Sequence, residues 1–149
     1  MLTVHQNTLT PLEYVELYAS VGWPPPSLAQ AAVALAHSDL TVSVREDSRP
    51  VAMGRIIGDH AMSFFVKDLA VRPEYQGRGA GTLMMNTIIA HIRATVPEGY
   101  HVCLELISSE GREGFYEPFG FGKKPGDGMG HGMMALVDGE KPAASVTER

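Results

Sequence analysis

A single cysteine, Cys103, stands in the 149 residues, so no internal disulfide can form. It lies in the apolar run Val102-Cys103-Leu104 and reads as a small buried hydrophobe rather than a nucleophile. The six histidines are scattered, without an H-x-x-x-H or Cys/His spacing, and no metal is expected. A formal net charge of −5, with no Lys/Arg cluster beyond Lys123-Lys124, argues against a nucleic-acid surface. No apolar run has the length to span a bilayer, and Met1 to Gln6 lacks signal-peptide character. No membrane partner and a cytoplasmic location are therefore expected. Two familiar phosphate loops are missing as well. No Gly-x4-Gly-Lys-Ser/Thr string occurs, and a G-x-G-x-x-G register begun at Gly77 or Gly79 meets Thr82 or Met84 where glycine is required.

What the chain does have is 44% hydrophobic and 19% charged residues, the balance of an ordinary globular domain with a substantial core. Its most informative stretch is Asp68 to Leu83, DLAVRPEYQGRGAGTL, a strand-like segment that turns at a proline and enters a glycine-rich loop before an apolar helix. Gly77, Gly79 and Gly81 leave backbone amides uncovered by side chains. The following helix adds unpaired N-terminal donors and the positive end of its dipole. Lys67, Arg72 and Arg78 make this part locally basic. Together they suit a phosphate or pyrophosphate.

Leu2 to His5 can open a sheet. Thr10-Pro11-Leu12-Glu13 has the form of a capping box with proline at the first helical position, predicting a helix to about Ser20. Gly22-Trp23-Pro24-Pro25-Pro26 stops it, and Ser27-Leu28-Ala29-Gln30 reads as a second capping box for an Ala-rich helix to about His37. Leu40 to Arg45 and Val51 to Gly58 flank turn residues and predict a hairpin. Ala61 to Val71 is the next strand, Gly79 to about Thr95 the longest helix, and Tyr100 to Ile107 another strand. Ser108-Ser109-Glu110 is expected to cap a short helix holding Gly114-Phe115-Tyr116, and Gly120-Phe121 and Met129 to Val137 to supply closing strands. One domain over residues 1–137 and a disordered tail over 138–149 are expected.

Gln76-x-x-Gly79-x-Gly81, preceded by Leu-Ala-Val and Arg-Pro, resembles the acyl-CoA-binding motif of the GNAT superfamily of N-acyltransferases. Phe115-Tyr116-Glu117-Pro118-Phe119-Gly120-Phe121 resembles that family's second signature, F-Y-x-x-x-G-F. The resemblance implies a mixed α/β fold, a mostly antiparallel splayed sheet flanked by about four helices, with the cofactor wedged between two strands. It implies acetyl-CoA as co-substrate. Leu69, Ala70 and Val71 would contact the pantetheine arm through backbone groups, and Gln76, Gly77, Arg78, Gly79, Ala80, Gly81 and Thr82 would hold the pyrophosphate. Ser109, where many members carry Asn, and Phe115 complete the implied cofactor-binding set.

The implied reaction is direct transfer of an acetyl group from CoA sulfur to a neutral primary amine. Tyr116 is the candidate general acid: a phenol of reference pKa about 10 stays protonated at neutral pH and can donate to a departing thiolate. No general base is obvious, which leaves a water chain or a carboxylate such as Asp68 or Glu105; for each, the structural alternative is a salt-bridged or solvated strand carboxylate. Trp23 has two readings, a packing plug for the proline-rich turn or an aromatic wall of the acceptor site. His131 is either an exposed side chain or a further lining residue. A small-molecule amine is the expected substrate. The alternatives are a protein or peptide N-acetyltransferase, or a CoA-binding sensor without turnover, which would not need Tyr116. Many relatives are homodimers, and the Met-rich run Met129 to Leu136 suits such an interface.

Overall fold

A computed structural model describes residues 1–126 and 128–140. By compactness the chain divides after Ser108, into a unit from Met1 to Ser108 and a second beginning at Ser109.

The first unit is one five-stranded sheet in the order β1 (Leu2–Gln6), β2 (Leu40–Glu46), β3 (Arg49–Gly58), β4 (Ser63–Val71) and β5 (Cys103–Glu105). The first four run antiparallel, and β5 joins β4 in parallel. Between β2 and β3, Asp47 and Ser48 both take positive φ, 48° and 68°, the left-handed pair of a two-residue hairpin. Every residue from Leu40 to Val44 is buried, so both faces of β2 are covered.

Helices pack on the sheet. α1 (Pro11–Ser20) starts at the expected capping box: Thr10 Oγ1 accepts from the Glu13 amide and Glu13 Oε1 from the Thr10 amide. α2 (Leu28–Ala36) has half of its expected box, since Ser27 accepts from the Gln30 amide without the return bond being formed. Tyr14 and Leu17 of α1 and Ala31 of α2 bury against Met53 and Ala70 of the sheet. α3 (Ala80–Thr95) buries Met84, Ile88 and Ile92 of the stripe its periodicity predicts, with Met85 buried in place of the expected Leu83, which is only half-buried, and packs on β2 and β3.

The strand expected over Tyr100 to Ile107 shrinks to Cys103–Glu105, paired only with Ser63–Phe65. Cys103 is exposed, contrary to its apolar neighbourhood; its thiol lies 3.3 Å from Glu105 Oε1. The shortening of β5 shapes its neighbour. β4 continues to Val71 while β5 ends beside Phe65, so beyond Phe65 the two strands are no longer paired and the edge of β4 is open on that side.

In the second unit, α4 (Glu113–Tyr116) runs into a 3₁₀ turn at Glu117–Phe119, closed by Gly120 with φ 95°. Ser109 does not cap α4: the N-cap is Arg112, without a side-chain cap bond, and the Ser109 carbonyl instead accepts from the Arg112 amide. The closing strands do not form. The described residues from 121 to 140 hold one isolated bridge, Gly126 to Met129, because glycine at 126, 128, 130 and 132 weakens any strand there. Residues 138–140 lack regular structure, and 141–149, the rest of the expected tail, lie outside the described residues.

Candidate functional site

The glycine loop sits where strand turns into helix. Val71 ends β4, Pro73–Tyr75 forms a 3₁₀ turn, and Gly79 is the N-cap of α3 in the left-handed region at φ 87°. Gly77 is also left-handed, at φ 79°. A Cβ on either would meet nothing within 4 Å; glycine is required here by conformation, and the space above the backbone is open. The first helical bond runs from the Leu83 amide to the Gly79 carbonyl, which leaves the amides of Ala80, Gly81 and Thr82 without partners inside the helix. No acidic residue stands in this first turn. Gln76 acts locally, its side-chain amide donating to the Val71 carbonyl at 3.2 Å and tying the loop to the strand end. Glycines, helix-terminal amides and a helix dipole fit a diphosphate.

Upstream, β4 carries a bulge. Met53 pairs with Ala70 and Arg55 with Lys67, so Asp68 and Leu69 together oppose Gly54. Asp68 takes φ 56°, a left-handed conformation inside a strand, which costs a non-glycine residue about 1–2 kcal/mol. Its side chain is held hard. Tyr14 Oη donates to Asp68 Oδ2 at 2.5 Å, and Arg55 Nε donates to the same oxygen at 2.7 Å. Burial, then the Asp68 carboxylate, push the Tyr14 phenol well above its ordinary pKa. Gly54 makes room for the bulge, since a Cβ there would lie 2.6 Å from Leu69 Cδ1. Asp68 is thus a largely buried, ion-paired carboxylate, which favours its structural reading over that of a free base.

The remaining first-unit candidates separate. Trp23 packs edge-on against Tyr18, centroids 5.1 Å apart, on the core cluster that includes Tyr14 and Met53. Glu105 is exposed on β5, opposite Phe65. Lys67 lies over the Phe65 ring at 5.7 Å, and Arg72 donates to the Pro50 carbonyl. No three His, Cys, Asp or Glu side chains are grouped to hold a metal among the described residues.

Within the second unit, Tyr116 belongs to an aromatic cluster, 4.9 Å from Phe115 and 5.8 Å from Phe121 between centroids, with Phe119 5.5 Å from Phe115. Burial raises its phenol pKa, which keeps the proton on at neutral pH. His131 is exposed in the irregular segment.

Sequence reasoning missed Tyr14 and Arg55. Tyr14 resembles any core residue of an amphipathic helix. Arg55 did carry a signal, a charge inside the apolar run Val51 to Gly58, which a buried strand tolerates only with a partner.

Comparison with known proteins assigns the chain to a family. The family described as "Acetyltransferase (GNAT) domain" matches residues 37–123, more than half of the chain. The chain belongs to the GNAT acetyltransferase family. This GNAT domain is 34% identical over 123 residues to GCN5-related N-acetyltransferase 1, chloroplastic, of Arabidopsis thaliana, covering 80% of this chain and 59% of that one. It is 35% identical over 117 residues to serotonin N-acetyltransferase 2, chloroplastic, of Oryza sativa, covering 74% and 55%. The chain therefore spans little more than half the length of these relatives. A solved structure of a probable acetyltransferase from meticillin-resistant Staphylococcus aureus superposes with TM-score 0.77 at 30% identity, covering 91% of this chain and all of that one. The mixed sheet with its mostly antiparallel strands is the GNAT fold.

Proposed function

We propose that the protein transfers an acetyl group from acetyl-CoA to the primary amine of a small molecule. The observation that carries this reading is the continuous path from the unpaired edge of β4 at Leu69 to Val71 into the open amides of Gly77 to Thr82. An extended amide-bearing arm ending in a diphosphate needs strand-like backbone partners followed by an anion cradle. Ser109 and Phe115 belong to the same proposed cofactor set.

Direct attack by a neutral amine on the thioester forms the C–N bond and breaks the C–S bond, and the thiolate leaves with a proton from Tyr116. The raised phenol pKa supports this role by keeping that proton in place at neutral pH. With Asp68 Oδ2 already accepting from Tyr14 and Arg55, the amine's proton goes to water or to another carboxylate, Glu105 being the exposed candidate. Trp23 and His131 are the weakest members of the acceptor set. Support for a small amine includes the name of the rice relative, a serotonin N-acetyltransferase. A histone acetyltransferase from Glycine max, 32% identical over 80 residues, keeps a protein acceptor as the second reading.

No helix among the described residues is long and apolar enough to cross a membrane. A cytoplasmic location is part of the same proposal. Exposed Met129, Met133, Met134, Leu136 and Val137 suit a second copy as partner, which sedimentation tests. The test of function is acetyl transfer from acetyl-CoA to a panel of arylalkylamines, polyamines, amino sugars and N-terminal peptides. Transfer to a small amine is the expected result; transfer to peptides alone overturns the substrate class. Binding of acetyl-CoA with no transfer to any acceptor leaves the sensor reading in its place.

A further inference from the structure

Arg78 is the only charged side chain between Gln76 and Thr82, and it is already engaged. Its Nη2 donates to Glu46 Oε1 at 2.9 Å, and its guanidinium lies over the Tyr75 ring, 4.8 Å from the centroid. Tyr75 Oη donates to the other Glu46 oxygen at 2.7 Å. The last residue of β2 thus reaches across to both the 3₁₀ turn and the glycine loop. These two hydrogen bonds, Tyr75's first and then Arg78's, hold the Glu46 carboxyl below its ordinary range, so it is ionised at neutral pH. Arg49 approaches the same ring at 6.0 Å but pairs with Glu74 at 3.5 Å.

We propose that Glu46 is an affinity-setting residue, a built-in anion that competes with the pyrophosphate of CoA for the guanidinium of Arg78. The inference rests on the acetyl-CoA reading above. A diphosphate settling on the amides of Gly77 to Thr82 meets a cation that must leave or share its carboxylate. A negative charge fixed beside a polyanion site weakens substrate and product alike, because acetyl-CoA and CoA carry the same phosphates. Such uniform weakening changes the apparent affinity for the donor and speeds release of CoA without touching the acyl-transfer step.

Calorimetry and stopped-flow release of CoA on the full chain, with Glu46→Gln, Arg78→Ala and the double variant, test this. Gln keeps an acceptor for Tyr75 and removes only the charge. Glu46→Gln should tighten CoA roughly fivefold, the scale of one exposed ion pair. The gain should reside in a slower off-rate and a lower KM for acetyl-CoA, with the single-turnover rate of acyl transfer unchanged. Dephospho-CoA, which keeps the pyrophosphate, should show the same ratio, and in the Arg78→Ala background the ratio should fall to one. Equal or weaker CoA binding by Glu46→Gln overturns the inference while leaving the cofactor site intact, and so does a gain that persists without Arg78. Wild-type protein that binds no CoA overturns the cofactor reading itself.

Discussion

The two units differ in what holds them together. Residues 1–108 carry the buried core, in which Leu17, Val42, Met53, Met84 and Ile88 are fully sequestered and α1 and α3 pack on the sheet. From Ser109 to residue 140 no described residue is buried; order comes from the Phe115, Tyr116, Phe119 and Phe121 rings and a few turn bonds. The anion loop and open strand edge belong to the first unit and the phenol to the second. In the proposed reading, most of the donor-binding set, apart from Ser109 and Phe115, and the proton donor therefore rest on separate foundations, and mutations should uncouple them.

The sharpest test is Tyr116→Phe. Loss of a general acid should lower kcat roughly 100-fold, with the Kd for acetyl-CoA unchanged by calorimetry. A parallel loss of binding would break the comparison, since the second unit would then be supporting the first. Tyr14→Phe is its counterpart in the first unit. Removing a partly buried hydrogen bond to a carboxylate should cost about 1.5–3 kcal/mol in urea unfolding. It should also raise KM for acetyl-CoA, because Asp68 loses one of the two groups that hold the bulge.

Gly58→Ala follows. A Cβ there would strike the Phe64 ring and lie 2.6 Å from the Ser63 carbonyl, so overpacking of about 1–3 kcal/mol is expected. The measurement is again urea unfolding, and acetyl-CoA should restore part of the loss if binding belongs to the first unit.

Acid should act on the same unit. Arg45 holds the Glu13 carboxyl down to about 2, and the Ser63, Ala61 and Met62 amides hold Asp59 down to about 2. Both pKa values are depressed in the folded state. Their stabilisation is therefore complete above the unfolded range of about 4 and fades as pH falls toward 2. Thermal melts between pH 5 and 2 should fall in that window, and Arg45→Met should flatten the fall. The smallest effect is expected at Ser43, whose buried hydroxyl has no hydrogen-bond partner. Ser43→Ala should be neutral or stabilise by up to about 1 kcal/mol.

Local chemistry made much of this legible in advance. Thr10, Pro11 and Glu13 announce α1 because a cap is satisfied within four residues, and Gly77 and Gly79 announce a tight loop before α3 because their left-handed φ depends on the backbone itself. Even so, short-range pattern overreached where pairing was needed. Tyr100 to Ile107 and Met129 to Val137 look like strands, but a strand requires a neighbour, and only Cys103–Glu105 found one.

Adjacent residues thus carry the loop's glycine conformations, the helix starts and the family, and all three could be read along the chain. That Asp68 is held by Tyr14 and Arg55, and Arg78 by Glu46, emerges only from the folded molecule. Their partners, Tyr14 at 54 positions' distance and Glu46 at 32, are brought near by the packing of α1 and β2, which no local periodicity encodes.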